Sequence, residues 1–391
     1  MKLAPLLAAA AGLGALACTG LLAQTGPEPA SPRAEGDEPI SGQAARATAA
    51  ELAGLLEKDY VFPDIAKKYA GALRTKAAAG GYDDAGTTSA LAEQLTADLR
   101  AVSPDNHLRV FAGGPGGGPG PRPMVVRSAP GAGAPATGPA PAPQMQRPQA
   151  IEHAGWIAPG VAFVRFNVFP PDGDVTAAAE RFMRDHADAK TIIFDIRTHG
   201  GGGLDQMDAI LPYLFAKETG LVMMDTRASV DRAGGNPLEG SRTLRLVPTN
   251  EDVVRREHVA IPHASEKRLW DAKVFVLTSG YTGSAAEHFA LSLKRTGRAT
   301  LIGEATGGAG HYGGVRPVGD KFAVFIPVGR TFDQDTGKGW EGDGVSPHIA
   351  VPAERALVEA LTRSGVGAAE AEKLSAKVAP TRPMSRPRRN G

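Results

Sequence analysis

The sequence has almost no cysteine, and this absence limits its chemistry. Its 391 residues contain a single cysteine, Cys18, near the N-terminus. A body without cysteine has neither structural disulfides nor a thiol nucleophile. The formal net charge is only +1, which gives no support for a nucleic-acid partner or an acidic membrane surface. Long apolar runs are missing after residue 23, so the mature body is expected to be soluble.

Two motifs that would indicate other kinds of site are also absent. A glycine run follows Asp195, but it has neither the lysine of GxxxxGK[ST] nor the spacing of GxGxxG, so no nucleotide partner is expected. No HExxH or comparable spacing occurs, so a zinc site is not expected either. We therefore predict no cofactor and no metal.

Residues 1–23 have the pattern of an export signal. Lys2 is followed by an Ala/Leu/Gly-rich apolar run and by small residues. Two outcomes fit this segment: acylation of Cys18, which would tether the protein to a membrane, or ordinary cleavage after Ala17 or Ala23. In both cases we expect an exported protein that is periplasmic or associated with the cell envelope.

The rest of the chain divides by composition. Residues 24–42 are rich in Pro, Glu, Ser and Gly and are predicted to be a disordered tether. Residues 43–112 carry three apolar helical faces and predict a small helical subdomain. Residues 113–150 are dominated by Gly, Pro and Ala and predict a flexible insertion. In residues 151–378 strands and helices alternate, as in an α/β core. The Arg-rich residues 379–391 predict a disordered, solvated tail.

One serine lies where an apolar strand meets a helix. The strand predicted over Lys273–Leu277 ends in small residues, and a helical apolar pattern starts at Ser284. This placement holds Ser284 Oγ near the first backbone amides of a helix, where partial positive charge favours an oxyanion. Ser284 is therefore the candidate nucleophile.

A serine nucleophile needs a base, and the pattern does not rank the histidines that could supply one. His107 lies in a polar turn, His199 lies beside the glycine run, His288 lies on the helix after Ser284, and His311 lies in a glycine-rich loop expected to border a cleft. The glycines permit backbone amides to point at a ligand.

These segments resemble the S41 serine peptidases, the family of the C-terminal processing peptidases. The resemblance rests on Thr278–Glu287 and Arg298–Gly308, with the string Asp195–Gly203 similar to the other main motif of the family. It covers about residues 44–352 apart from the proline-rich insertion. It implies an α/β fold with a crotonase/ClpP-like core, an N-terminal helical subdomain, and peptide or protein substrates.

Two differences from the first branch of the family indicate which branch this chain resembles. One branch pairs its serine with a lysine in a Thr-x-Gly-Lys-Gly pattern and usually has a PDZ domain. Here Ala309 stands where that lysine would be, and residues 113–150 leave no room for a PDZ domain. The segments Asp105–Val110 and Trp340–Pro347 resemble instead the branch of tricorn core protease and interphotoreceptor retinoid-binding protein.

This resemblance implies a role for each site residue. Ser284 is the nucleophile, His107 the base, Glu341 the acid that completes the relay, and Asn106 a polar helper where tricorn-like proteins have serine. The oxyanion hole is expected from the amide of Ala285 and that of Gly200 or Gly201. Glu341 could alternatively hold a loop as an ion pair, and Glu287 is expected to orient local structure.

The function expected from these residues is an exported serine peptidase that acts through an acyl-enzyme. Two other classes stay open on the same fold. One is a noncatalytic binding protein for apolar ligands or peptides, which would have no chemical need of serine, histidine and glutamate together. The other is an acyl-CoA enzyme of the crotonase type, which an exported location disfavours because CoA is scarce there.

Overall fold

The sheets and helices of this protein are described here from a computed structural model. It describes residues 37–113, 149–236, 238, 240–249 and 252–385. Within these residues the helices are α1 (Gly42–Asp59), α2 (Pro63–Ala78), α3 (Thr88–Val102), α4 (Gly173–Asp185), α5 (Asp205–Ile210), α6 (Ala228–Arg232), α7 (Ala285–Arg295), α8 (Ala356–Arg363) and α9 (Ala368–Lys377). The strands are β1 (Arg109–Ala112), β2 (Ile151–Ala158), β3 (Val161–Phe166), β4 (Thr191–Asp195), β5 (Thr219–Arg227), β6 (Leu244–Val247), β7 (Val253–Ala260), β8 (Lys273–Thr278), β9 (Thr300–Gly303), β10 (His311–Val318), β11 (Phe322–Phe332) and β12 (Ile349–Ala350).

A mostly parallel sheet contains the strand that precedes Ser284. Its strand order is β12-β9-β8-β4-β3-β2, and only β2 runs antiparallel to its neighbour. Because side chains alternate along a strand, Phe194 and Val276 enter a core with α4, α5 and α7, while Ile193 enters a second core with α8 and α9. Helices cover both faces of the sheet. This arrangement confirms the predicted α/β class.

A second, antiparallel sheet joins the N-terminal helices to this core. β11 is its long central strand and pairs with β1, β10 and β5, while β7 and β6 continue the sheet beyond β5. The predicted apolar faces of α1, α2 and α3 are buried against it. Leu52, Leu73 and Leu95 share one core with Val110 and Val324. The helical unit therefore packs on the antiparallel sheet.

Two predicted disordered segments are partly ordered. Residues 38–40 were assigned to the tether, but Glu38 N donates to Thr88 Oγ1 (3.1 Å) and Pro39 pairs with Thr87. Residues 379–385 were assigned to the solvated tail, but Tyr281 N donates to the carbonyl of Met384 (3.2 Å). Met384 therefore has a backbone partner in the core, which composition does not reveal.

Other predictions lie outside the described residues. They are the export signal with Cys18, residues 24–36 of the tether, residues 114–148 of the insertion and residues 386–391 of the tail. Within the part of the chain that the structure describes, no helix has both the length and the apolar character needed to cross a bilayer.

Candidate active site

Ser284 lies in a sharp turn between β8 and α7. Its backbone has φ 56° and ψ −120°, and it is the one non-glycine residue with positive φ among the described residues. Such a conformation costs an L-residue about 1–3 kcal/mol, and it persists only where the surroundings impose it. A serine on a strained strand-to-helix turn has its Oγ exposed to an approaching substrate.

Glu287 holds this turn in place. Its carboxylate accepts hydrogen bonds from Ser284 N (2.7 Å), Thr306 Oγ1 (2.6 Å), Gly308 N (2.7 Å) and Ala309 N (2.8 Å). Burial raises the pKa of Glu287 even though these bonds favour the charged form. The side chain thus connects the nucleophile turn to the loop before β10, which agrees with the expected orienting role.

Replacement of Glu287 by glutamine is expected to lower the free energy of unfolding by about 2 kcal/mol or more, because an amide nitrogen would face donors that need an acceptor. Urea denaturation measures this effect. The exposed Glu93→Gln is the matched control and should shift stability by less than about 0.5 kcal/mol. Equal stability of the two variants would contradict the anchoring role.

The glycine string approaches Ser284 closely. A Cβ at Gly201, which has φ +123°, would lie 2.9 Å from Ser284 Cβ and 3.4 Å from its Oγ. The string is anchored by Asp195, whose carboxylate accepts a bidentate pair from Arg197 (2.8 and 2.7 Å) and a further bond from Arg165 (2.8 Å). Although burial opposes its charge, these two arginines lower the pKa of Asp195 to about 2.

Two of the amides predicted as oxyanion donors bind other groups of the protein. Gly200 N donates to the carbonyl of Asn167 (3.1 Å), and Gly201 N donates to His199 Nδ1 (3.0 Å). Both of these amides are therefore occupied. The amides of Gly202 and Ala285 make no hydrogen bond to any described residue, and both residues line the cavity that contains Ser284. The glycine run offers several chemically identical amides, and only their directions in the fold distinguish them.

Ser284 lines a cavity of about 50 Å³ between the two sheets. None of the lining residues is Asp, Glu, Lys or Arg, and two of them are histidines, His288 and His311. The complete lining consists of Gly202, Gly203, Leu204, Met224, Leu238, Ser284, Ala285, His288, Ala309, Gly310, His311, Tyr312, Gly313, Thr331 and Trp340. Ser284 therefore faces a small and mostly apolar space whose only ionisable side chains with ordinary pKa values near neutrality, among the described residues, are histidines.

His311 is held by a buried carboxylate. Its Nδ1 lies 2.8 Å from Asp105 Oδ2, which also accepts the hydroxyl of Tyr60 (2.9 Å). Burial alone would lower the pKa of His311, but the hydrogen bond and charge of Asp105 raise it above its ordinary value. Burial works in the opposite sense on Asp105, and His311 holds the pKa of that carboxyl below its usual value. His311 is thus an ionisable side chain whose ring is oriented by the carboxylate of Asp105.

The residues predicted around His107 come together beside this pair. Atoms of His107, Asp105 and Glu341 that could bind a metal lie within 4.8 Å of one another. Asn106 N donates to Glu341 Oε1 (2.7 Å), and Gly310 N donates to Glu341 Oε2 (2.6 Å). The two carboxylates are thus engaged by donors of the protein. They already have the hydrogen-bond partners that a metal would have to displace.

His107 differs from His311 in its position. Its ring stacks on Phe325 with the centroids 5.6 Å apart, and it is not among the residues that line the Ser284 cavity. Asn106 Nδ2 donates to the carbonyl of Gly308 (2.6 Å). Asn106 and Glu341 therefore hold loops around the site through backbone groups.

Two buried histidines make folding sensitive to acid. In the unfolded chain they bind protons below pH 6.5, whereas burial lowers the pKa of His199 to about 3 and that of His288 well below 6.5. His311 does not oppose this effect below pH 6.5, because its raised pKa leaves it protonated in both states. The free energy of unfolding should therefore fall as the pH drops from about 6 to 4.5. His199 contributes about 1 kcal/mol per pH unit to this fall, and His288 adds to it.

Urea denaturation at several pH values checks this expectation. His199→Phe removes one of the two histidines and should reduce the slope by about 1 kcal/mol per pH unit. A slope that is unchanged in this variant would show that His199 does not carry the effect.

Two models of known protein families match the part of the chain that contains this site. The model of peptidase family S41 matches residues 160–351, and the model of the N-terminal domain of Peptidase_S41 in eukaryotic IRBP matches residues 42–131. The two matches together include the N-terminal helices, Asp105 and the elements from β3 to β12 with Ser284.

Solved structures are similar to this chain at low sequence identity. The photosystem II D1 C-terminal processing protease is 17% identical, with a TM-score of 0.51 over 83% of this chain and 98% of that chain. A lipoprotein from Streptococcus agalactiae is 12% identical, with a TM-score of 0.47 over 84% of this chain and 98% of that chain. Mature CPAF complexed with lactacystin is 17% identical, with a TM-score of 0.41, and this chain covers 51% of it.

Of these structures, the processing protease supports a shared fold. The helical N-terminal unit, the α/β core and the two family models agree with one another. The chain belongs to peptidase family S41.

Proposed function

We propose that this protein is a serine peptidase that cleaves peptide bonds of protein or peptide substrates through an acyl-enzyme on Ser284. The observation that carries the proposal is the strained turn at Ser284, which opens into a cavity shared with a carboxylate-bound histidine. Family membership supports the same chemistry, since S41 peptidases are serine-type hydrolases.

The base that we propose for Ser284 is His311. Its Nδ1 is taken by Asp105, so Nε2 is left for the serine, as in a Ser-His-Asp arrangement. Ser284 Oγ attacks the scissile carbonyl while its proton passes to His311, which then gives the proton to the leaving amine. A water molecule then gives a proton to His311 and attacks the acyl group, which leaves Ser284 as its Oγ takes the proton back. Asp105 stabilises the imidazolium by charge and orientation. The assignment of the base to His107, which the family resemblance implies, is the alternative.

The oxyanion that forms on the carbonyl needs two donors at the nucleophile. We propose the amides of Ala285 and Gly202, because both residues line the cavity and neither amide donates to another described residue. The loss of one such donor typically reduces the rate about a hundredfold or more.

The proposal is tested by treatment of the purified protein with a fluorophosphonate probe, followed by mapping of the modified residue by mass spectrometry. Modification of Ser284, together with cleavage of a peptide library, is the expected result. Modification at another serine, or no modification of a folded sample, would contradict it.

We also propose that the protein is exported and acts in the periplasm or at the cell envelope. The support is the pattern of residues 1–23. Intact mass measurement of the mature N-terminus distinguishes lipidation of Cys18 from cleavage after Ala17 or Ala23.

A further inference from the structure

Three side chains form a hydrogen-bonded chain that ends at the Ser284 cavity. Asp208 Oδ1 on α5 lies 2.9 Å from His258 Nε2 on β7, and His258 Nδ1 lies 2.8 Å from His288 Nε2 on α7. The side chain of Asp208 is 25% exposed, whereas His258 and His288 are 0% and 3% exposed. Neither Asp208 nor His258 lines the cavity, but His288 does. The mechanism proposed above uses none of the three.

The order of donors along this chain determines the tautomer of each ring. The Asp208 carboxylate accepts, and its other oxygen is already bound by the hydroxyl of Thr243 (2.9 Å), so the proton lies on His258 Nε2. In this arrangement His258 presents the lone pair of its Nδ1 to His288, which donates from Nε2. The lone pair of His288 is therefore on Nδ1. Burial, and secondarily His258, lowers the pKa of His288 and keeps its ring neutral.

His288 Nδ1 is an acceptor at the wall of a mostly apolar space. Leu204, Met224 and Leu238 line the same cavity, and no described residue donates a hydrogen bond to His288 Nδ1. Trp340 also lines the cavity, and its indole Nε1–H has no acceptor among the described residues. Trp340 Nε1–H is therefore a buried donor without a partner, and an unpaired polar group at the cavity wall costs free energy until a ligand group satisfies it.

From these observations we propose that His288 is a specificity residue that selects a substrate side chain carrying a hydroxyl or a carboxamide donor. This inference rests on the proposed peptidase function. A carboxylate would face the lone pair of His288 Nδ1, and an ammonium group would be desolvated with no carboxylate among the lining residues. A cavity of about 50 Å³ holds several times the space of one water, which suits a side chain of the size of threonine or asparagine.

Isosteric substrate pairs isolate the hydrogen bond from shape. Peptides that differ by Thr against Val, or Asn against Leu, at one position present nearly the same volume with and without the donor. A site built around a hydrogen bond discriminates strongly against the analogue that lacks it, because its own polar group is left unpaired. The wild-type protein should prefer Thr over Val in kcat/KM by about tenfold or more at one substrate position.

Variants of the chain then assign the preference. In His288→Phe the Thr/Val ratio should fall to about one, and in His258→Phe it should fall as well, because His288 is no longer held in a single tautomer. The control is His186→Phe, a buried histidine whose Nδ1 bonds only the carbonyl of Phe182; this variant should keep the ratio. Thermal unfolding verifies that each variant is folded. If a folded His288→Phe protein retains the wild-type ratio, the inference is overturned.

A spectroscopic measurement tests the tautomer without any turnover. Nitrogen-15 NMR of the histidine rings should show His288 protonated on Nε2 and unprotonated on Nδ1 at neutral pH, and the reverse tautomer would overturn the inference.

The proposed function and the role of His288 are contradicted by different results. Absence of Ser284 labelling and of cleavage in the wild-type protein would overturn the proposed function, whereas cleavage without a Thr or Asn preference at any position would overturn only the role of His288.

Discussion

Substitution of Ser284 by alanine is expected to abolish labelling by a fluorophosphonate probe and to reduce peptide cleavage by about 10⁴-fold or more, because the acyl-enzyme can no longer form. The melting temperature should change little. Alanine meets the same backbone strain as serine at φ 56°, and the amide of residue 284 still donates to Glu287. Probe labelling, kcat/KM and thermal unfolding measure the three quantities.

The matched control for this variant is Ser292→Ala on the same helix. Ser292 is fully buried, and its Oγ has no hydrogen-bond partner among the described residues, so this change should preserve activity. Retained cleavage in a folded Ser284→Ala protein would disprove the mechanism. If instead the wild-type protein retains a ligand but never turns over any peptide, the noncatalytic binding protein becomes the better description.

Substitution of His311 by alanine is the second change with a large expected effect. Loss of the base should lower kcat/KM by about 10³-fold or more. The matched variant is His107→Ala, which removes a histidine beside the same Asp105 but outside the Ser284 cavity. It should retain far more activity. Initial rates with one peptide substrate, measured on both folded proteins, provide the comparison.

The pH profile gives an independent readout of the same assignment. A base must be neutral to accept a proton, so kcat/KM should fall as the pH drops through the pKa of His311, which Asp105 raises above the ordinary value. Asp105→Asn removes that charge and should move the acidic limb to lower pH while it reduces the maximum. If His107→Ala loses the activity and His311→Ala keeps it, the base is His107, as the family resemblance implies.

Several parts of the fold follow from local pattern alone. The apolar periods of residues 43–112 predicted three helices, and α1, α2 and α3 are present. The strand at Lys273–Thr278 and the helix that follows it were also predicted, because an apolar β-branched run and a helical period are visible in the sequence without any tertiary information. These predictions concern residues that are neighbours in the chain.

The strand β10 shows where local pattern fails. Residues 311–318 begin in a glycine-rich stretch that predicted a loop, yet they pair along β11. A Cβ at Gly313 would lie 2.0 Å from the carbonyl oxygen of Ile326. Only glycine permits this close approach of the two backbones. A prediction from composition treats the same glycine as the end of a strand.

By itself, the sequence determined the α/β class, the strand-turn-helix context of Ser284 and the absence of a lysine at position 309, since each depends on adjacent residues. Only the tertiary structure decided which histidine shares the cavity with Ser284 and which glycine amides remain unbound beside it. Asp105 and His311 are 206 residues apart in the chain. The amides of Gly200, Gly201 and Gly202 differ only in direction. Contacts between distant segments and the orientation of identical groups arise from packing, and no local pattern encodes them.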